Sequence, residues 1–160
     1  MKFKIQYQVL IFLFFISCSE VNEEPIGPNP GSLNIWDGSL ITFEKLDGTD
    51  PTLEANQDRI TSNVWITRGN NGGQIFNIVK ENSYDKDDSP IGTEWALGTL
   101  DQIESLSFNK FRIAVGNPKN VPGKDLVLHL VEDDIYLSVK FLSWSNQQKG
   151  GFSYTRSTSE

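Results

Sequence analysis

The amino-acid sequence predicts an all-β protein, an antiparallel β-sandwich of the jelly-roll kind with eight or nine short strands and at most one or two helical turns. Short apolar segments recur at intervals of about eight to twelve residues, and turn-forming residues separate them. Aromatic residues make up 11% of the chain, and 13 Gly and 7 Pro supply frequent turns. Aromatic side chains favour strands, whereas Gly and Pro interrupt them, so one domain of short strands is expected.

The clearest strands lie at the C-terminal end, where residues 126–158 predict a three-stranded antiparallel meander. An apolar run, Leu126–Val131, precedes an acidic turn. Apolar residues then occupy every second position from Ile135 to Phe141, which is the periodicity of a strand with one buried face. A polar loop after Trp144 leads to a third alternating segment, residues 152–156. The middle strand is predicted to be the longest in the protein.

Several shorter strands are predicted before the meander. Two of them, around Ile35 and Phe43, are expected to form a hairpin through a turn at Asp37-Gly38. Apolar, β-branched and aromatic residues predict the others. These strands are expected at residues 62–68 and 74–80, on either side of a glycine-rich turn, at 93–98, near 106–108, and at 111–115.

Two polar segments predict the helical turns. In Asp50-Pro51 the Asp side chain can accept hydrogen bonds from free N–H groups, and Pro suits the first helical position. The segment Thr99–Gln102 has the spacing of a capping box, in which two residues each bind the other's backbone N–H.

Residues 1–17 have the features of a signal peptide. Lys2 and Lys4 precede an apolar run, residues 9–16, that is too short to span a bilayer. Cys18, the only cysteine, follows a small residue and precedes polar ones. This pattern resembles the lipobox of bacterial lipoproteins, which implies that Cys18 carries a lipid and begins the mature chain. An ordinary secretory signal that leaves a free thiol is the alternative.

Residues 18–32 are predicted to form a tether before a single domain at residues 33–160. Ser19–Glu24 is acidic, and Pro25–Gly31 contains three prolines, which block both helix and sheet. Serine and acidic residues directly after the cysteine resemble the export signal of Bacteroidota surface lipoproteins. The resemblance implies a protein anchored in the outer membrane and facing the cell exterior. A solvated acidic tether without a sorting role is the alternative.

Parts of the domain resemble a module that recurs in secreted bacterial proteins. The matching segments are Asn56–Thr61, Asn63–Gly69, Phe141–Ser145 and, most specifically, Gly150–Thr158. The resemblance implies secretion and a β fold for about residues 33–158. It carries no activity and no site residues.

Composition and motifs argue against several function classes. The net charge is -7 and the pI is about 4.7, so nucleic-acid binding lacks a basic surface. His129 is the only histidine, which disfavours a structural zinc site, and it is expected to be satisfied within the meander. The segment at Gly123-Lys124 lacks the glycine and hydroxyl residue of a phosphate-binding loop. Because no nucleophile motif is present either, the sequence predicts a protein that is not an enzyme.

Calcium is the one cofactor with support in the sequence. Five oxygen-bearing residues occur within a dozen positions, and calcium takes six to eight oxygen ligands. The alternative is a capped turn in which Asp58 or Glu54 pairs with Arg59. The predicted calcium ligands are Asp47, Asp50, Glu54, Asn56 and Asp58.

Two aromatic residues of the meander are predicted to bind a ligand. Alternation places Trp144 and Tyr136 on one strand face, where their rings would be partly exposed and could stack on sugars; burial of the tryptophan is the alternative. The predicted function is thus a lipid-anchored, non-catalytic surface module for binding or assembly. Its expected partners are the membrane, through the lipid, and a glycan or, second, another outer-membrane protein. A surface hydrolase of glycans and a lipocalin-like carrier of an apolar ligand are the alternatives.

Overall fold

The computed structural model describes residues 32–160, and in them nine strands form two sheets, which confirms the predicted all-β sandwich. Residues Leu33–Glu160 form one compact unit. The predicted signal peptide, Cys18 and nearly all of the tether lie outside the described residues and stay predictions. The strands are β1 (Asn34–Trp36), β2 (Ile41–Lys45), β3 (Asp58–Arg59), β4 (Trp65–Arg68), β5 (Ile75–Asn77), β6 (Thr93–Leu97), β7 (Asp125–Leu130), β8 (Ile135–Trp144) and β9 (Phe152–Arg156).

The larger sheet has the strand order β2-β9-β8-β7-β6, and β1 pairs in parallel with the start of β8. The smaller sheet is β3-β4-β5, and all its pairs are antiparallel. The predicted meander is confirmed as β7, β8 and β9. With ten residues, β8 is the longest strand described, and its alternating residues from Ile135 to Phe141 are buried as predicted. No helix in residues 32–160 is long and apolar enough to cross a membrane.

A β-bulge in β8 overturns the predicted exposure of Trp144. The register with β9 shifts between Phe141 and Ser143, so two successive residues, Leu142 and Ser143, lie exposed. Trp144 thereby turns to the buried side and is only 8% exposed. It does not share an exposed face with Tyr136, because the extra residue reverses the alternation.

The predicted hairpin at Asp37-Gly38 is also wrong. The two strands on either side of it pair elsewhere, β1 with β8 and β2 with β9. Gly38 donates a backbone hydrogen bond to Thr158 O at 2.9 Å, and a Cβ there would lie 2.6 Å from Ser159 O. The turn therefore guides the chain past its own C-terminal segment to the edge of the sheet.

Residues 111–115 form a helix, α1 (Phe111–Val115), where a strand was predicted. Phe111 and Val115 are four residues apart, so one helix face buries both of them. Gly116, with a φ of 73°, follows the helix. Near residues 106–108 a single bridge between Trp95 and Asn109 replaces the predicted strand. Short 3-10 helices occupy Glu54–Asn56, Leu100–Ser105 and Pro118–Asn120, and the predicted capping box precedes the second.

Aromatic side chains fill the space between the larger sheet and the elements that cover it. The ring centres of Trp95 and Phe111 lie 5.0 Å apart, and those of Phe141 and Tyr154 lie 5.2 Å apart. Ile66 and other residues of the smaller sheet close the same core. Large rings of this kind contribute most of the apolar area that folding buries.

A buried ion pair joins the two sheets. Asp58 in β3 accepts hydrogen bonds from Arg156 in β9 at both carboxylate oxygens, at 2.7 and 2.9 Å. The Tyr154 hydroxyl donates to the same carboxylate at 2.6 Å. Burial, and then the charge of Asp58, raise the pKa of Tyr154 well above its ordinary value. Every member of this network is therefore held in place by another.

A second buried arginine, Arg68, binds the main chain at the other end of the β8–β9 pair. Arg68 donates to Ser145 O at 3.1 Å and to Gly151 O at 2.9 Å, and its guanidinium lies 4.1 Å from the centre of the Trp144 ring. Burial lowers its pKa to about 10. The two arginines thus link the separate segments that resemble the secreted module, and they do so through structural contacts.

Candidate functional site

Three adjoining depressions in the surface lie along the segment of residues 80–94, and we call them together the loop groove. The largest has a volume of about 600 Å³. A second, of about 340 Å³, shares Ser83 and Tyr84 with it, and a third, of about 330 Å³, shares Asp88 and Ile91. Since neighbouring depressions share wall residues, the loop groove is one extended surface.

Tyr84 is the aromatic residue common to the first two depressions, and the main chain fixes its position. Its ring lies against the backbone of Gly73, so closely that a side chain at that glycine would overlap it. Gly73 has a φ of 81°, which also favours glycine. The tyrosine remains partly exposed, so its ring is both positioned and accessible.

The loop that carries Tyr84 is tied to the sandwich by buried polar groups. Gln74, 1% exposed, donates from Nε2 to Asp85 O at 2.5 Å and to Asp88 O at 2.6 Å. Ser89 Oγ accepts a hydrogen bond from the backbone N–H of Phe111 at 3.0 Å. The carboxylates of Asp85, Asp87 and Asp88 in this loop remain exposed.

Glu81 is a partly buried carboxyl in the largest depression. Its Oε1 accepts hydrogen bonds from Asn77 N at 2.9 Å and from Ile91 N at 2.8 Å. Burial raises the pKa of Glu81, and the charges of Asp85 and Asp88 act in the same direction, whereas the two backbone N–H groups lower it. The carboxyl therefore ties the end of β5 to the later part of the loop.

Side-chain amides surround the second depression, where Asn70, Asn71 and Asn82 accompany the rings of Phe76 and Tyr84. The Asn70 amide donates a hydrogen bond to Thr49 O and accepts one from Lys45 Nζ. The exposed Asn71 side chain makes no hydrogen bond to any of residues 32–160. We call these three asparagine side chains the asparagine wall. Amides offer both donors and acceptors, so the asparagine wall can donate hydrogen bonds to the hydroxyl groups of a ligand and accept hydrogen bonds from them.

The third depression leads to an aromatic cluster on the outer face of the larger sheet. Glu94, which lines this depression, places Oε2 at 3.3 Å from Nδ1 of His129. The His129 ring stacks on Tyr136, with centres 4.2 Å apart and planes 2° apart, and Phe108 meets both rings edge-on. Asp134 lies 3.3 Å from the other His129 ring nitrogen, so the histidine is satisfied within the meander as predicted. Tyr136 thus lies two strands from Glu94, on the far side of His129, whereas Trp144 lies in the core.

The residues predicted to bind calcium are not brought together. Asp58 lies in the core, where both carboxylate oxygens accept hydrogen bonds from Arg156. Glu54 lies at the surface, 3.0 Å from Arg59, which is the pairing expected for the alternative, a capped turn.

The other three predicted calcium ligands also have protein partners. Asp50 accepts a hydrogen bond from Thr52 N at 2.8 Å and caps the turn, and Asn56 donates to Asp50 O at 2.7 Å. The Asp47 carboxylate lies 3.7 Å from Lys149 Nζ. In the described part of the chain, no three His, Cys, Asp or Glu side chains are grouped so that they could hold a metal ion. Calcium binding by this segment stays a prediction.

Sequence reasoning missed Tyr84 and the asparagine wall, although one signal for them was present. The glycine-rich turn, residues 69–73, was recognised only as a connection between strands, whereas Gly73 also provides the surface on which the Tyr84 ring rests. Comparison of the chain with protein-family models, with curated proteins and with solved structures finds no match, so the loop groove is interpreted from its own geometry.

Proposed function

We propose that this chain is a lipid-anchored, non-catalytic binding module on the outer face of the outer membrane, and that its ligand is a glycan. The observation that carries the proposal is the loop groove around Tyr84. An aromatic ring offers an apolar face for a sugar ring. The surrounding amides and carboxylates offer hydrogen-bond partners for its hydroxyl groups.

The shape and charge of the loop groove suggest which glycans fit. Adjoining depressions suit successive units of an extended polysaccharide better than a compact small molecule. The largest depression is lined by two lysines and three carboxyl groups, and the chain as a whole has a net charge of -7. A polyanionic glycan would be repelled by this net negative charge, so we expect a neutral polysaccharide. A protein partner on the same surface is the second choice.

The packing of the core favours surface binding over a lipocalin-like carrier. Trp95, Phe111 and Phe141 are each 0% exposed and occupy the interior in mutual ring contact. An apolar ligand between the sheets would have to displace these rings, which close packing makes costly.

Replacing Tyr84 tests the proposal. Tyr84→Ala is expected to weaken retention by a neutral polysaccharide roughly tenfold, because it removes the stacking surface. Affinity electrophoresis over a panel of neutral and acidic polysaccharides measures the effect. Tyr84→Phe keeps the ring and is the matched control, expected to bind nearly as the wild type does. Failure of every polysaccharide to retain the wild-type protein would contradict glycan binding, as would equal retention of Tyr84→Ala.

A glycan hydrolase is the second candidate, because one carboxyl with a raised pKa lies beside two others in the largest depression. Glycoside hydrolysis needs such a pair, with the acid kept protonated. Against this, Glu81 Oε1 already accepts two backbone hydrogen bonds. Release of reducing ends by the wild type, abolished by Glu81→Gln, would favour the hydrolase. Retention of an intact polysaccharide would favour the binding module.

The membrane anchor is tested by Cys18→Ser. The variant is expected to leave the membrane fraction or to remain unprocessed, because several acyl chains hold a protein firmly at a bilayer whereas none does. Fractionation followed by intact mass measurement detects both outcomes. Wild-type fractionation of the variant would rule out lipidation at this cysteine.

A further inference from the structure

The glycine-rich turn at residues 69–73 contains the only Asn-Gly pair in the chain, Asn71-Gly72. We propose that Asn71 is a site of spontaneous deamidation, so that the ageing protein acquires aspartate and isoaspartate at this position. Asparagine is among the residues that limit the chemical lifetime of proteins. The structure leaves Asn71-Gly72 free to react while it restrains comparable pairs elsewhere.

The reaction needs no partner other than water. The backbone nitrogen of Gly72 attacks Cγ of Asn71, a C–N bond forms, and the Cγ–Nδ2 bond breaks. Nδ2, which already carries two hydrogens, takes up the amide proton of Gly72 and leaves as ammonia. Water then opens the five-membered imide at either carbonyl, giving aspartate or isoaspartate. The sum is asparagine plus water to acidic residue plus ammonia.

The described residues contain three Asn-Gly or Asp-Gly pairs. Asn71-Gly72 is the one among them whose glycine nitrogen makes no hydrogen bond within the described residues. Gly38 N donates to Thr158 O at 2.9 Å, and Gly48 N donates to Lys149 O at 2.8 Å, so the main chain holds both. Gly72 N makes no hydrogen bond within residues 32–160. With a φ of 93° and no Cβ, Gly72 presents its nitrogen with little steric hindrance.

The neighbouring asparagine is a built-in comparison. The Asn70 side chain donates from Nδ2 to Thr49 O at 2.9 Å and accepts from Lys45 Nζ at 3.0 Å. Its carboxamide cannot turn towards the following nitrogen without losing both bonds. Asn71 is exposed and has no such restraint among the described residues.

Deamidation would alter the loop groove, and this consequence rests on the proposed function. Asn71 lines the second depression with Tyr84, so the reaction places a new negative charge in a wall that otherwise carries amides. Isoaspartate also inserts a methylene into the main chain of the turn that supports the Tyr84 ring at Gly73. The aged protein is expected to bind its glycan more weakly.

Peptide mapping by mass spectrometry tests the site without any glycan. The purified full-length protein is incubated at mildly alkaline pH and digested with trypsin, which releases residues 69–80 as one peptide. We expect this peptide to gain about 1 Da per molecule, with fragment ions placing the change at Asn71. Asn70 and the buried Asn77, in the same peptide, are expected to remain unchanged.

Asn71→Gln is the matched control, because it keeps an amide on an exposed side chain but lengthens it beyond the favourable ring size. Its peptide is expected to keep its mass over the same period. Absence of any gain in the wild type overturns the proposal, and so does a gain at Asn70 or Asn77 as fast as at Asn71. Polysaccharide retention of Asn71→Asp, measured separately, tests the consequence alone, so failure of the binding proposal and failure of the modification are distinguishable.

Discussion

Replacing Phe141 by Ala is expected to lower the free energy of unfolding by about 3 to 5 kcal/mol, which is the usual cost of deleting a buried aromatic side chain. Phe141 is 0% exposed and lies at the centre of the aromatic core. Its ring centre is 5.8 Å from that of Trp144, 5.9 Å from Phe111 and 5.2 Å from Tyr154. Because these rings belong to different elements, no single one of them can move to fill the cavity.

Chemical denaturation measures the effect, and the next residue supplies the control. Leu142 is 50% exposed and follows Phe141 directly in the bulge. Leu142→Ala is expected to change stability by no more than about 0.5 kcal/mol, as is usual for exposed positions. If both variants unfolded at the same denaturant concentration, the placement of the bulge and of the core would be contradicted.

The meander was predictable from the sequence because its signal is local. Ile135 to Phe141 alternates with period two, and a strand with one buried face produces that pattern wherever it lies in a sheet. The bulge that follows was not predictable. It depends on how β8 and β9 align, which two segments separated by a loop decide together, and one extra residue reverses the side on which Trp144 lies.

Two other predictions are wrong for the same reason, because contacts between separate segments of the chain decide the structure there. The five residues Phe111–Val115 are too few to separate helix from strand by periodicity, because residues 111 and 115 share a face in both. Ile113 lies between them and is 65% exposed, which fits the helix, since a strand would place it on the same face as Phe111 and Val115. At Asp37-Gly38 the local turn signal is real. The preference of β1 for β8 and of β2 for β9 arises from residues about a hundred positions away.

The candidate site was less predictable than the fold, because it is built from loops that meet only after folding. Tyr136 could be identified as a surface aromatic residue, but its stacking on His129 requires the β7–β8 register. Tyr84 lay in a segment that reads as a solvated acidic loop. Only the contact with Gly73 makes it a fixed aromatic wall, and sequence patterns do not report such contacts.

Asp58 shows that the partner of an acidic residue cannot be identified from local sequence when that partner is distant. Its position among nearby carboxylates suggested a calcium ligand. In the structure its partner is Arg156, and both are at most 6% exposed. The same residue is therefore expected to matter for stability.

Replacing Asp58 by Ala is expected to destabilise the protein by about 3 to 5 kcal/mol, because it leaves a buried arginine without a counter-charge. The Tyr154 hydroxyl loses its acceptor in the same step. Equilibrium denaturation in urea measures the loss. Glu54→Ala breaks the exposed pair with Arg59 and is the matched control, expected to cost at most about 1 kcal/mol.

A double variant separates the charge from the packing. Asp58→Leu combined with Arg156→Met removes both charges and keeps apolar volume, so it is expected to recover much of the stability that Asp58→Ala loses. Asp58→Asn, which keeps one acceptor oxygen but not the charge, should lie between the wild type and Asp58→Ala. If Asp58→Ala cost no more than Glu54→Ala, the ion pair would not be what holds β3 to β9. The two sheets would then be joined by their apolar contacts alone.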